Sequence, residues 1–555
     1  MAKPMTVGRY LVRRLQDSGL KHVFGVPGDY VLEFYDLLVN SPLEVVGTCT
    51  EAGASFAADA YARVNGLGAV CVTYCVGGLN TVNAVAGAYA EKSPLIVISG
   101  APALRQRLRL SLLHHRVRDF TTQRRIFEQV TVASAALEDA ARAPGQIDEV
   151  IAACTRQKRP VYLELPSDMC DRPCRRPARA APQPAQKDRH TLREAVEEAA
   201  AMMRAAKRPV ILAGVEIHRF GLQNALLRLV ERTSYPVAAT LLGKSVISER
   251  HENYLGIYEG AMGREDVRRT VEGADCVLIL GAFMTDINLG IYTANLDVSR
   301  TISATSERIT IKRHHFEGIS LGDFIRRLTA GPVGRRRRMP IAGRRERKPF
   351  RPQKRRAITV RRFFGRMDEF LEDDFVVISD IGDSLFGAAD LTIHRRTEFL
   401  SPAYYTSMGF AVPAAVGAQI RNRRLRPLVF VGDGAFQMTG QELSTVARFG
   451  LNPIVFVLNN KGYTTERFIK DGPFNDLHDW AYHRWPQVLR RGWGCEVRTE
   501  GELEDALVQA RRNRKSFSII NVHLDPYDRS HALERLGRRL ARRAGGGPTR
   551  KGPRR

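Results

Sequence analysis

No stretch of this chain approaches the roughly 20 consecutive apolar residues that a bilayer-spanning helix needs. Its N-terminus, MAKPMTVGRYLVRRL, carries basic residues without an apolar core of signal-peptide length, so a cytoplasmic protein with no membrane insertion is expected. The 8 cysteines are scattered without CxxC pairing, so Cys170 and Cys174 read as ordinary thiols rather than half of a zinc site. Acidic residues are in deficit, 59 against 85 basic, and the formal net charge of +26 raises a nucleic-acid reading. The distribution weakens it. Much of the excess lies in GRRRRMPIAGRRERKPFRPQKRR (334–356) and RLGRRLARRAGGGPTRKGPRR at the C-terminus. Such runs lack apolar periodicity and read as solvated linker and tail, so no specific nucleic-acid partner is expected.

At 555 residues the chain is too long for one core, and its 44% hydrophobic share supports several globular units. Expected boundaries are a first domain over 1–170, a Pro-rich linker over 171–189, a middle domain over 190–332, a basic linker over 333–356, a last domain over 357–530 and a basic tail over 531–555. Short β-rich runs alternate with helical periods in all three domains. HVFGV, CVTYCV, PLIVISG and PVYLELP mark strands in the first; PVILAG, YPVAAT, DCVLILG and ERITIK in the second; FVVISDIGD, PLVFVGDG, PIVFVLNN and SFSIINVHL in the third. This alternation predicts an α/β fold of three doubly wound domains with parallel sheets.

Two polar clusters close buried runs in the last domain. Gly432-Asp433-Gly434 follows PLVFV and Asn459-Asn460 follows PIVFVL, with 24 residues between them for a helical crossover. Both clusters should emerge side by side at the carboxyl edge of one sheet, where such sheets bind ligands. A carboxylate, a carboxamide and glycine backbone there suit a hard cation such as Mg²⁺ and the phosphates it bridges.

In the first domain Glu51 opens an alanine-rich helix, where it reads either as a cap or as a functional acid. Asp29 ends the loop GVPGD, and His114-His115 reads either as a surface pair or as a proton relay. Glu466 falls within a turn or so of the Asn pair.

Together GVPGDYVLEFYD, TEAGASFAADAYAR, AGAYAEKSPLIVISGAP, LLHH, SDIGDSLF, YTSMGF, GDG and NNKGYTTE, in that order, resemble the thiamine-diphosphate-dependent 2-oxo-acid decarboxylases. The resemblance covers nearly the whole chain and is nearest to the phenylpyruvate and indolepyruvate decarboxylases. It implies a pyrimidine-binding domain, a middle domain without cofactor and a diphosphate-binding domain. It also implies active sites between the first domain of one subunit and the last of another, hence a homodimer at least and usually a homotetramer.

By this resemblance Asp433, Asn460 and the carbonyl of Gly462 match Mg²⁺ ligands. Gly434, Ala435, Thr464 and Thr465 match diphosphate contacts, and Asp383 and Ser384 a cofactor-touching loop. Met408 matches the residue that props the cofactor into its bent shape, and the Thr406 backbone an aminopyrimidine contact. Glu51 matches the carboxylate on the pyrimidine nitrogen, and Asp29, His114, His115 and Glu466 the proton-relay set. The cofactor supplies an electron sink for loss of carbon dioxide, and the protein supplies protons and excludes water. Ile287 and Leu385 stand where one kind of bacterial pyruvate decarboxylase carries Tyr and Trp, so a roomier pocket for aromatic or long aliphatic 2-oxo acids is expected. Asp286 matches a family acid beside it. Two other readings stay open: a carboligase using the same cofactor, and a catalytically weak polyanion-binding scaffold.

Overall fold

The computed structural model describes residues 4–109, 112–175, 189–336, 349–394 and 399–535. Most of the two expected linkers and the tail, 176–188, 337–348 and 536–555, lies outside them. Three sheets follow one another along the chain. The first contains β1 (His22–Gly25), β2 (Glu44–Gly47), β3 (Gly68–Val72), β4 (Leu95–Ala101), β5 (Ser134–Ala136) and β6 (Val161–Pro166), in the order β2-β1-β3-β4-β6-β5. The second contains β7 (Pro209–Ala213), β8 (Val237–Ala239), β9 (Tyr254–Ile257), β10 (Cys276–Leu280), β11 (Thr301–Ala304), β12 (Ile309–Ile311) and β13 (His314–Phe316), in the order β13-β12-β11-β10-β7-β8-β9. The third contains β14 (Phe375–Ser379), β15 (Phe399–Leu400), β16 (Arg426–Gly432), β17 (Ile454–Asn459), β18 (Trp493–Val497) and β19 (Ser518–His523), in the order β15-β14-β16-β17-β19-β18.

The first and third sheets are wholly parallel and share one pattern of strand order. In each, the order reverses next to the first strand of the block, leaving a crevice beyond the carboxyl ends of β1 and β3, and of β14 and β16. The middle sheet departs from the all-parallel expectation, because β12 pairs antiparallel with β11 and with β13 at one edge. Links this short allow hairpin pairing but no helical crossover. The expected strand CVTYCV is also displaced: β3 stops at Val72, and Cys75 takes a positive φ of 52° in the following turn. There the Cys75 amide donates to Gln123 Oε1 at 2.7 Å, so a side chain replaces the ladder.

Alanine and glycine permit the closest approach between blocks. The helix Glu51–Asn65 packs on the helix Ala411–Ile420, whose residues are all buried. A Cβ on Gly417 would stand 1.9 Å from the carbonyl oxygen of Ala57, so only glycine lets these backbones meet. At the junction with the middle sheet, buried Lys92 donates to Glu216 Oε1 at 2.5 Å and to Ser306 Oγ at 2.6 Å. Residues 531–535 depart from the expected tail: they are helical, and Ala532 and Leu533 are buried against Met262 and Phe386.

Candidate active site

The residues singled out in the sequence fall into two groups. One surrounds the crevice of the third sheet. β16 pairs with β17 through Gly432 and Leu458, so the polar ends of both strands leave the sheet together. Asp433 begins the helix Asp433–Thr439 and is 2% exposed. Its Oδ1 accepts from the Gly434 amide at 2.8 Å and its Oδ2 from the Gly462 amide at 3.1 Å. Burial pushes its carboxyl up to about 6, against those amide donors, which pull it back.

The neighbouring loop has oxygen to spare. Asn459 Oδ1 and Asn460 Oδ1 are buried with no hydrogen-bond partner, an arrangement that costs free energy unless something else is bound. Asn459 Nδ2 is held by Asp479 at 2.9 Å, which fixes its amide. Arg467 braces the loop from behind, donating to the carbonyls of Asn460 at 3.3 Å and Lys461 at 3.0 Å and pairing with Asp476 at 2.8 Å. Gly462 has φ 156°, and a Cβ there would strike the Asn475 carbonyl at 2.2 Å, so the backbone comes this close only as glycine. A buried carboxylate raised toward neutrality beside an unpaired amide oxygen is the donor chemistry a hard divalent cation stabilises, so these residues fit Mg²⁺.

The rest of the crevice is built around them. Asp380, fully buried and pushed up to about 6 by that burial, accepts from the amides of Gly409 at 3.2 Å and Ala411 at 2.9 Å. It thereby ties the end of β14 to the loop carrying Thr406, at φ 57°, and half-buried Met408. Asn83 from the first block donates to Ser407 Oγ at 2.8 Å, and Glu91 accepts the amides of Tyr404 and Tyr405 at 2.8 and 2.9 Å. Thr464 is buried, Thr465 half-buried beside Gly382, and Ala435 4% exposed within the helix that Asp433 starts. Glu466 is exposed on the helix Thr464–Ile469.

Asp383 and Ser384 lie at the same edge with different partners. Ser384 donates to the carbonyls of Asp380 and Ile381, while the Asp383 carboxylate accepts the amide of Ser530 at 2.9 Å and its hydroxyl. Asp383 is pushed up to about 6 by burial, opposed by Ser530. Leu385 is 2% exposed in a packed cluster, with Ile287 at the margin of that cluster. Asp286 Oδ1 accepts the Ile287 amide at 2.9 Å, a local turn contact.

The second group lies on the first block. Asp29 follows β1 and meets His114 Nε2 through Oδ2 at 2.5 Å. Tyr30 stacks on His114 with centroids 4.7 Å apart, and His115, at φ 65°, sets its ring edge-on to His114 at 4.7 Å. Glu51 is the first residue of its helix, and Asn80 Nδ2 donates to Glu51 Oε2 at 2.8 Å. Thr50 caps that helix, its hydroxyl accepting from the Gly53 amide at 3.0 Å.

Sequence reasoning missed Asn80 and, above all, Glu442. This fully buried carboxylate of the third block accepts the amides of Cys49 at 3.2 Å and Thr50 at 3.1 Å, the Thr50 hydroxyl at 3.2 Å and the Thr445 hydroxyl at 2.7 Å. It holds the backbone turn from which Glu51 projects. Its local sequence, TGQELST, gives no signal that sets it apart from a surface glutamate. Among the described residues no hydrogen bond or ion pair joins Asp29, Glu51, His114 or His115 to the Asp433–Asn460 crevice of the same chain.

Known proteins resemble this chain over nearly its whole length. Residues 5–123 match the family described as thiamine pyrophosphate enzyme, N-terminal TPP binding domain; 196–328 match its central domain and 380–522 its C-terminal TPP binding domain. The indole-3-pyruvate decarboxylase of Azospirillum brasilense is 37% identical over 93% of this chain and 95% of its own. A probable pyruvate decarboxylase of Schizosaccharomyces pombe is 32% identical over 97% and 96%, and an alpha-keto-acid decarboxylase of Mycolicibacterium paratuberculosis 34% over 94% of each. The chain belongs to the thiamine-diphosphate-dependent 2-oxo-acid decarboxylase family. Thiamine diphosphate is its cofactor, and Mg²⁺ is the usual partner metal in that family.

Proposed function

We propose that this enzyme converts a bulky or aromatic 2-oxo acid, of the phenylpyruvate or indolepyruvate kind, to an aldehyde and carbon dioxide. The observation that carries the reading is the buried Asp433 carboxylate beside the unpaired Asn460 amide oxygen, at adjoining strand ends of a parallel sheet. Asp433, Asn460 and the Gly462 carbonyl would hold Mg²⁺, Gly434, Ala435, Thr464 and Thr465 would meet the diphosphate, and Asp383 and Ser384 lie in a loop that would touch the cofactor. Thr406 and Met408 set the cofactor's shape. When bound, thiamine diphosphate supplies an electron sink for the bond to the departing carboxylate.

The remaining work falls to side chains of the first block. The Glu51 carboxyl group, oriented by Asn80, would share its proton with the pyrimidine ring nitrogen in a charge-assisted hydrogen bond. His114 Nε2 shares a proton with Asp29 Oδ2 and can pass one to the carbon that has lost carbon dioxide, with His115 and Glu466 completing the relay. Both groups serve one reaction when the first block of one protomer faces the crevice of another, so a homodimer is the smallest active form and a homotetramer its doubling. Eight free thiols fit a reducing, cytoplasmic setting.

Substrate size is read from Ile287 and Leu385, both aliphatic, and from similarity to a relative named for indole-3-pyruvate. Purified protein with thiamine diphosphate and Mg²⁺, offered phenylpyruvate, indolepyruvate and pyruvate, should show the highest kcat/KM for the aromatic acids and release free aldehyde. A clear preference for pyruvate contradicts the pocket argument, and a coupled hydroxyketone as main product favours the carboligase.

A further inference from the structure

We propose that Asp29, His114 and His115 form a facultative site for a borderline divalent cation such as Zn²⁺, and that its occupation switches the enzyme off. One ligand atom from each residue can be chosen so that all three lie within 4.8 Å of one another. Two imidazoles and a carboxylate are the donor set that Zn²⁺, Co²⁺ and Ni²⁺ prefer over Mg²⁺. A zinc bound to imidazole nitrogen at about 2.0–2.1 Å holds its donors roughly 3.3 Å apart, so the group needs a contraction of about 1.5 Å at most. Asp29 and His114 have the freedom for it, with side chains 50% and 59% exposed.

Two further features point to a ligand. His115 Nδ1 is buried with no hydrogen-bond partner, so a lone pair or a proton goes unused. The Tyr30 hydroxyl lies 3.3 Å from His114 Nδ1, the outer contact that fixes a metal-binding imidazole with its Nε2 inward. Tyr30 also packs against both rings, stacked on His114 and edge-on to His115 at 5.8 Å, which limits their reorientation once a metal is held. The inhibitory half of the proposal rests on the relay assigned above: a metal on Asp29 Oδ2 and His114 Nε2 occupies the atoms that share the proton.

The test uses Mg²⁺- and thiamine-diphosphate-loaded protein, so that the strand-end crevice is filled. Co²⁺ should add weak visible absorption bands that Zn²⁺ bleaches, and His115→Gln and Asp29→Asn should each weaken Zn²⁺ binding about tenfold to a hundredfold. Cys49→Ser, at the exposed thiol, should leave the bands unchanged. Zn²⁺ should also suppress aldehyde formation at least about tenfold, reversed by a zinc-selective chelator with Mg²⁺ in excess. Bands with thiolate charge-transfer character, or binding indifferent to both substitutions, would overturn the site. Binding is read without turnover, so failure of the decarboxylase assignment leaves this readout intact.

Discussion

Glu442→Gln tests whether the third block positions the activating acid of the first. The wild-type carboxylate accepts four hydrogen bonds, two from the amides of Cys49 and Thr50 and two from the Thr50 and Thr445 hydroxyls, at 2.7–3.2 Å. A glutamine offers one acceptor oxygen. If it serves Thr50, the amide NH₂ confronts the Cys49 N–H, and the Thr445 hydroxyl must turn from donor to acceptor. One backbone donor is orphaned at about 1–3 kcal/mol, and loss of charge assistance in the rest adds about 1 kcal/mol, giving about 2–4 kcal/mol in all. Expressed wholly in the transition state, this is about thirtyfold to several hundredfold in kcat. Steady-state kinetics should show a fall of at least about tenfold in kcat, with the Kd for Mg²⁺–thiamine diphosphate within about twofold, because Asp433 and Asn460 are untouched. Unchanged kcat with an unchanged thermal midpoint would refute the positioning role.

Other consequences follow from single side chains. Asp433→Ala removes the buried carboxylate and should abolish cofactor-induced fluorescence quenching at any accessible Mg²⁺ concentration; retained affinity would move the metal seat elsewhere. Glu259 is buried with Oε1 unpartnered, and burial pushes its carboxyl from 4.5 up to about 7. The folded state therefore binds a proton that the unfolded chain has lost, and the cost of ionising Glu259 grows as pH rises from about 4.5 to about 7. Glu259→Gln should stabilise cofactor-free protein by about 3 kcal/mol at pH 8 and by less than about 1 kcal/mol at pH 5, read from thermal midpoints. Equal shifts at both pH values contradict the burial argument.

What was legible in the sequence was local. PLVFV and PIVFVL are apolar without alternation because both faces of a parallel sheet are covered, and their polar ends follow from the strand ends themselves. Glu51 as the first helical residue after Thr50 was equally readable, since capping is written within a few residues. CVTYCV misled because β-prone residues continue past the point where the Gln123 side chain takes over the backbone. In the middle sheet ERITIK marked β12, but β13, three residues long, was too short to show a period, so the antiparallel edge stayed hidden. Glu442, Asn80 and Ser530 were missed for another reason. Their partners lie 392, 29 and 147 residues away, and a glutamate that accepts distant amides looks locally like any surface glutamate.

The central claim is that each active site joins the acids of one protomer to the metal seat of another. Mixing Glu51→Gln with Asp433→Ala subunits tests it directly, because each variant alone lacks one essential group. Random reassortment makes about half the dimers hybrid, each with one intact and one doubly defective site, so about a quarter of wild-type activity should return. No recovery after verified subunit exchange would contradict the shared site and place Glu51 and Asp433 at the same cofactor within one chain.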